Sequence, residues 1–173
     1  VDKIGKDKSK LAALYLSGHG MGGSLAEMTA AAIYQENKLS ALRPLIKAVA
    51  SYGAPRWADP SLAMILHKKM GMKTYRFEYQ YDVVPRLPAR PFGSYLHFGR
   101  RYVSSSPNGV WEMEIAARRL ILTRLAANYI GTMAMVKDKI FGGRVVLPVI
   151  WADHSPLNYV KISMNSNPCA HEH

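Results

Sequence analysis

The sequence predicts an α/β fold with a mostly parallel sheet flanked by helices, and three observations carry that prediction. A short apolar run, LAALYLS from Leu11 to Ser17, is closed by the glycine-rich turn GHGMGG. Small and apolar residues then continue at helical spacing from Ser24 to Tyr34. The cycle recurs, with IKAVASYG (Ile46 to Gly53) reading as a strand, Pro60 to Met70 as a helix and TYRFEY (Thr74 to Tyr79) as a third strand. Strands that alternate with helices imply βαβ units, whose crossovers make neighbouring strands parallel.

The individual boundaries follow from local chemistry. Asp59 and Pro60 mark the start of the second helix, because an aspartate caps free N–H groups and proline suits the first helical turn. From Tyr95 the pattern changes, and HFGRRYVSS and VWEMEI flank SPNG, where Asn108 and Gly109 suit a hairpin turn of positive φ. An antiparallel addition to the sheet is expected there. Residues 116–140 place Leu122, Leu125, Tyr129, Met133, Val136 and Ile140 on one stripe, with Arg118, Arg119 and Lys137 off it. That spacing predicts a long amphipathic helix. RVVLPVIW reads as a last strand, and DHSPLNYVKIS as a turn and a short helix.

With 173 residues, 49% of them hydrophobic, the chain has the size and apolar content of a single domain, residues 1–173. It contains no run of about 18 uncharged apolar residues to cross a bilayer. It opens at Val1 on the charged stretch VDKIGKDKSK, so strands upstream of Val1 are expected to be missing. One cysteine, Cys169, excludes an intrachain disulfide and leaves the compartment open. Lys and Arg outnumber Asp and Glu by 23 to 12, and the formal charge of +11 favours anionic surfaces. The basic residues are spread along the chain without zinc-finger spacing or an RNP-type aromatic motif, so nucleic acid is not the expected partner. No metal-ligand spacing is present, since His171 and His173 form too short a tail, and no cofactor is called for.

The turn Gly18-His19-Gly20-Met21-Gly22-Gly23 carries the chemistry. A strand that ends in a sharp G-x-S-x-G turn and opens a helix presents its serine at the tip, and glycines flank it where side chains would collide with strand and helix. LYLSGHGMGGSLAEMTAAAI resembles the class 3 (fungal-type) lipase version of that turn, with Gly20 at the serine position. Four further stretches resemble the same family in the same order. SYGAPRWAD (Ser51 to Asp59) is similar to its FGxPRxG-type segment, and YRFEYQYDVVPRLP (Tyr75 to Pro88) to the segment bearing the catalytic aspartate. YLHFG (Tyr95 to Gly99) is similar to its YxHxG stretch, and DHSPLNYV (Asp153 to Val160) to the segment bearing the catalytic histidine.

The resemblance implies a partial α/β-hydrolase sheet and a lipase-like role on ester lipids. Carried over residue by residue, it makes Asp82 the acid, His154 the base and Gly20 the nucleophile position. The Met21 backbone N–H becomes one oxyanion donor, and the second is expected from a loop after an earlier strand that lies upstream of Val1. Alone, Asp82 reads as a turn-forming aspartate and His154 as a loop histidine; the surrounding motifs give them their roles. His19 reads as a packed elbow residue and His97 as part of a structural network. Ser17 lies in the strand and Ser24 inside the helix, so neither reaches the tip.

Gly20 has no hydroxyl, and a covalent seryl ester cannot form. The expected function is therefore a lipase-like domain, inactive or severely impaired as written, facing an ester lipid or a lipid surface, anionic membrane included. The alternative is a pseudoenzyme module that binds lipid or protein without catalysis.

Overall fold

The computed structural model describes residues 11–88, 93–113 and 149–166. The chain forms two compact units, the first from Val1–Arg76 and Pro88–Arg100, the second from Phe77–Leu87 and Arg101–His173. The sheet is mostly parallel with flanking helices, and the chain passes from the first unit to the second after Arg76, within strand β3 (Thr74–Tyr79).

In the first unit β1 (Leu14–His19) pairs in parallel with β2 (Ile46–Tyr52), from Leu14 opposite Ile46 to His19 opposite Tyr52. The order is β1-β2-β3, which leaves β1 at an edge among the described residues. Between β1 and β2 lie α1 (Met21–Gln35) and a 3-10 segment, Asn37–Leu45. Pro44 sits inside that segment and has no N–H to donate, which disfavours a regular α-helix there. Arg43 reaches back to the Ile33 carbonyl at 3.0 Å and the Glu36 carbonyl at 3.1 Å, satisfying acceptors that the end of α1 leaves open.

Helix α2 (Pro60–Met70) begins where its cap dictates, with the Asp59 carboxylate accepting from Ser61 N–H at 2.9 Å and Leu62 N–H at 3.1 Å. His67, Lys68 and Lys69 occupy its last turn, where positive charge suits the helix dipole. The core of this unit joins Ala30, Ala31 and Ile33 of α1, Ile46 and Val49 of β2, and Leu66 and Met70 of α2 to Phe98. Trp57 meets Phe98 edge-on with ring centres 5.8 Å apart.

The second unit contains the end of β3, a short 3-10 turn Val84–Arg86, β4 (Arg100–Ser104, from Arg101 onward), β5 (Glu112–Met113), α3 (Val149–Ala152) and α4 (Pro156–Asn165). β4 and β5 are antiparallel, with Tyr102 opposite Met113 and Val103 opposite Glu112. Its interior is aromatic: Phe77 lies 5.4 Å from Tyr102 and 5.1 Å from Trp111, and Trp111 stacks on Tyr159 at 5.9 Å. Arg101 pairs with Glu78 at 2.7 Å, both side chains half-buried.

Three sequence expectations change. The hairpin turn is closed by Gly109 N–H on the Ser106 carbonyl at 3.1 Å, with Pro107 and Asn108 at its centre, and neither Asn108 nor Gly109 takes positive φ. Pro107 fixes its own φ near −65° and selects an ordinary turn over the primed type. Of the run expected as a last strand, Val149–Trp151 is helical; a short apolar run fits strand and helix alike. Residues 144–148 of that run, and the long helix expected over residues 116–140, lie outside the described residues. The glycine reading is also refined. A Cβ on Gly18 would overlap the Gly22 carbonyl, and one on Gly23 would come within 2.9 Å of both the Ala54 Cβ and the Gly18 carbonyl oxygen. A Cβ on Gly22 meets nothing within 4 Å, so Gly18 and Gly23, not Gly22, let α1 cross the end of β1.

Gly18→Ala should therefore lower the unfolding free energy by about 3 kcal/mol, the upper end of ordinary overpacking. Gly22→Ala should stabilise by up to about 1 kcal/mol, because alanine is the better helix former. Urea unfolding of the two variants measures both; equal losses would contradict the crossing described.

Candidate active site

Gly20 and Met21 belong to the first unit, Asp82 and His154 to the second. Gly20 is the single residue between β1 and α1, with φ 57° and ψ −128°, in the region that favours glycine. Its N–H donates to the Tyr52 carbonyl at 2.8 Å, extending the β1–β2 ladder by one bond. Its carbonyl accepts from Gly23 N–H at 3.0 Å and Ser24 N–H at 3.4 Å, opening the helix. Gly20 thus ends the strand and caps the helix, which makes the turn sharp. Met21 holds the first position of α1, where helical geometry leaves the N–H without an intrahelical acceptor at the positive end of the helix dipole. Its side chain is exposed. Ser17 lies in β1, and Ser24 is buried in α1 with its hydroxyl donating to the Pro55 carbonyl at 2.9 Å.

A buried carboxylate lies on α1 two turns beyond Gly20. Glu27, 1% exposed, accepts from the Ser51 hydroxyl at 2.6 Å and from the Trp57 indole N–H at 2.7 Å. Ser51 is the strand partner of Gly18, so Glu27 ties helix, strand and the following loop together beside the elbow. Motif resemblance does not single this residue out. The signal was available: Glu27 is the one charged residue in Met21–Gln35, and it shares a helical face with Gly23, Ala30 and Ala31.

In the second unit the chain turns sharply after β3. Gln80 takes φ 37°, the one described non-glycine residue at positive φ, with its N–H on the Ser104 carbonyl at 2.7 Å. The Asp82 N–H then donates to the Tyr79 carbonyl at 2.9 Å, and the Asp82 side chain is buried. One carboxylate oxygen accepts from Val84 N–H at 2.8 Å. The other accepts from the Tyr159 hydroxyl at 2.5 Å and from His154 Nδ1 at 2.8 Å. An ionised carboxylate can only accept, so Nδ1 carries the proton and the lone pair of the neutral ring lies on Nε2. His154 sits between α3 and α4, in a turn held by its N–H on the Trp151 carbonyl at 3.1 Å and by Ser155 N–H on the Ala152 carbonyl at 3.1 Å. Its side chain is about a quarter exposed, at 24%.

Tyr159 completes the arrangement. Its hydroxyl also accepts from Tyr79 N–H at 3.2 Å, and burial, reinforced by the Asp82 charge, holds the phenol far above its ordinary range. It therefore stays protonated and donates. Trp111 backs it, anchored by its indole N–H on Ser163 at 3.0 Å and its backbone N–H on Ser166 at 3.0 Å. The neighbouring Asp153 accepts from Tyr81 N–H at 3.0 Å; burial raises its pKa and the Asp82 charge adds to the rise, against the pull of that bond.

Burial raises the Glu27 pKa above its ordinary value, and the bonds from Ser51 and Trp57 and the Arg76 charge only partly offset this. The folded pKa exceeds the unfolded one, so the stability linked to this proton is fully present below the unfolded value, about 4.3, and is lost as pH rises through the folded value. Glu27→Gln can accept from Trp57 and donate to Ser51 without ionising. Unfolding free energies of the two proteins should diverge from roughly pH 4 upward in favour of the variant; parallel curves would show that Glu27 does not titrate with folding.

Comparison with known proteins gives the family. The profile of the family described as lipase (class 3) matches residues 2–92, more than half of the chain. Among solved structures, the Rhizomucor miehei lipase in its propeptide complex superposes with a TM-score of 0.50 at 28% identity, over 61% of this chain and 32% of that one. A crystal structure of a fungal lipase gives a TM-score of 0.51 at 22% identity, over 65% of this chain and 39% of that one, a likeness of fold. The chain thus spans well under half the length of these lipases. With the profile match over Gly20 and Asp82 and the shared α/β-hydrolase fold, the chain belongs to the class 3 lipase family.

Proposed function

We propose that this chain is an ester-lipid hydrolase domain silenced at its nucleophile position. In this reading Gly20 stands in place of the serine, Asp82 is the acid, His154 the base and the Met21 N–H one oxyanion donor. The observation that carries it is the backbone of Gly20, at φ 57° and ψ −128° on the tip of a strand-to-helix turn. That is the sharp, strained turn a nucleophile elbow needs, and it costs a non-glycine residue about 1 to 3 kcal/mol. Glycine removes the strain and the hydroxyl together.

The chemistry follows from what is left. In the family reaction the imidazole takes the serine proton, the alkoxide attacks the ester carbonyl, and the same proton passes to the leaving alcohol. Without a hydroxyl no acyl-enzyme forms, and the remaining groups support at best roughly 10³ to 10⁴ over the uncatalysed rate. The natural ligand in this reading is an ester lipid presented at a lipid surface, toward which a formal charge of +11 favours anionic membranes. The same charge is the observation that favours the second reading, a module that binds lipid without turning it over.

Gly20→Ser separates the two. The serine variant should be labelled covalently by a fluorophosphonate, with the adduct on Ser at position 20 by mass spectrometry, and should lose about 1 to 3 kcal/mol of stability. The parent should remain unlabelled, and adding His154→Ala to the serine variant should abolish the reaction. A folded Gly20→Ser protein that resists the reagent favours the binding module, and ester hydrolysis by the parent at the rate of the variant would place the nucleophile elsewhere.

A further inference from the structure

From the geometry of the first unit we infer a phosphate-ester site beside the elbow, formed by Arg56, Ser94 and Tyr95. A cavity of about 340 Å³ opens between the loop after β2 and the segment Gly93–Leu96, and its described lining is Arg56, Ser94, Tyr95 and Leu96. The two walls are fastened to each other: Ala58 and Leu96 form an antiparallel bridge, with Leu96 N–H on the Ala58 carbonyl at 2.8 Å. Tyr95 lies against Gly93, where a Cβ would come within 2.5 Å of the ring, and φ 132° at Gly93 is open to glycine. The cavity is therefore held by backbone geometry on both sides.

Its chemistry is that of an anion receptor. Arg56 makes no hydrogen bond or ion pair with any described residue, so its guanidinium fork is not neutralised within that set. A guanidinium offers two parallel N–H donors that match two oxygens of a phosphate, and the hydroxyls of Ser94 and Tyr95 supply donors for the remaining oxygens. The volume suits a phosphate with a few carbons rather than a whole lipid.

Its position links it to the elbow. Gly20 N–H bonds the Tyr52 carbonyl at 2.8 Å and the Ser24 hydroxyl bonds the Pro55 carbonyl at 2.9 Å, so the loop that carries Arg56 is tied to the turn at both ends of its first stretch. Both lie beyond the carboxyl ends of β1 and β2, the side on which open α/β sheets bind ligands. The proposal rests on the lipid reading only for the source of the phosphate: the headgroup of an anionic phospholipid, or a free phosphate ester of the same chemistry.

Two binding arms test it on the chain as it stands, neither of which reads hydrolysis. Calorimetry with glycerol 3-phosphate measures the soluble ligand, and co-sedimentation with phosphatidylcholine vesicles carrying phosphatidate measures the lipid headgroup. Arg56→Gln should weaken whichever phosphate binds by about tenfold or more, and Ser94→Ala by about fivefold. Arg56→Lys should retain part of the affinity, because it keeps the charge and loses the fork. Lys68→Gln, an exposed charge on α2, serves as the control for net charge. Arg56-dependent binding in the vesicle arm assigns a headgroup site, and in the calorimetric arm alone a soluble phosphate ester; both support the inference. No saturable binding in either arm, or a loss in Arg56→Gln no larger than in Lys68→Gln, overturns it. If Arg56→Gln does not fold, Ser94→Ala decides by the same comparison. Failure of Gly20→Ser to react with a phosphonate leaves these results standing, and the converse holds, so the two readings fail separately.

Discussion

One buried carboxylate organises the second unit. Asp82 gathers a backbone N–H from Val84 in its own turn, and a phenol from Tyr159 and an imidazole from His154 in one distant segment, with His154 72 residues away. A buried charge is stable only when its oxygens are satisfied, and hydrogen bonds to a charged acceptor contribute about 1.5 to 3 kcal/mol each. The rest of the arrangement follows from serving that site. The turn at Gln80 aims Asp82 inward, the start of α4 places Tyr159, Trp111 backs the phenol, and the short turn between α3 and α4 delivers His154. Tyr159 joins the carboxylate to the β3 backbone through Tyr79 N–H, so a single hydroxyl couples helix, strand and acid.

The first unit is organised by a steric constraint rather than a charge. Helix α1 begins one residue after β1 ends, and that is possible because Gly18 and Gly23 have no side chains where the two elements cross. Gly20 between them takes a backbone conformation that costs other residues energy. Its glycine therefore relaxes the elbow while the turn keeps its sharpness, and Glu27, Ser51 and Trp57 brace the helix from below. Nothing in this packing requires a hydroxyl at position 20. A glycine at the tip of the elbow and retention of the fold are physically compatible.

Much of this was legible in the sequence where local chemistry decides. Asp59-Pro60 set the start of α2, the apolar alternation of Thr74–Tyr79 gave β3 its limits, and the glycine cluster announced the elbow. The candidates Asp82 and His154 came from motif resemblance, since no periodicity links residues so far apart. Local rules failed where a second influence outweighed them. Pro107 overrode the Asn-Gly preference, and the apolar run before Asp153 is helical at Val149–Ala152 where strand was expected. The hydroxyl of Tyr159 and the carboxylate of Glu27 were not singled out because their importance lies in tertiary partners. In sequence one is an aromatic in a helix and the other a lone acid among alanines.

The central claim is that Asp82 holds His154 in one tautomer, with the proton on Nδ1 and the lone pair on Nε2. The long-range ¹H–¹⁵N spectrum of the His154 ring, at a pH where the imidazole is neutral, reads this directly. The account predicts a protonated Nδ1 and an unprotonated Nε2 in the Gly20 protein, with that preference lost in Asp82→Ala. A proton on Nε2, or fast averaging of both tautomers in the parent chain, would contradict it.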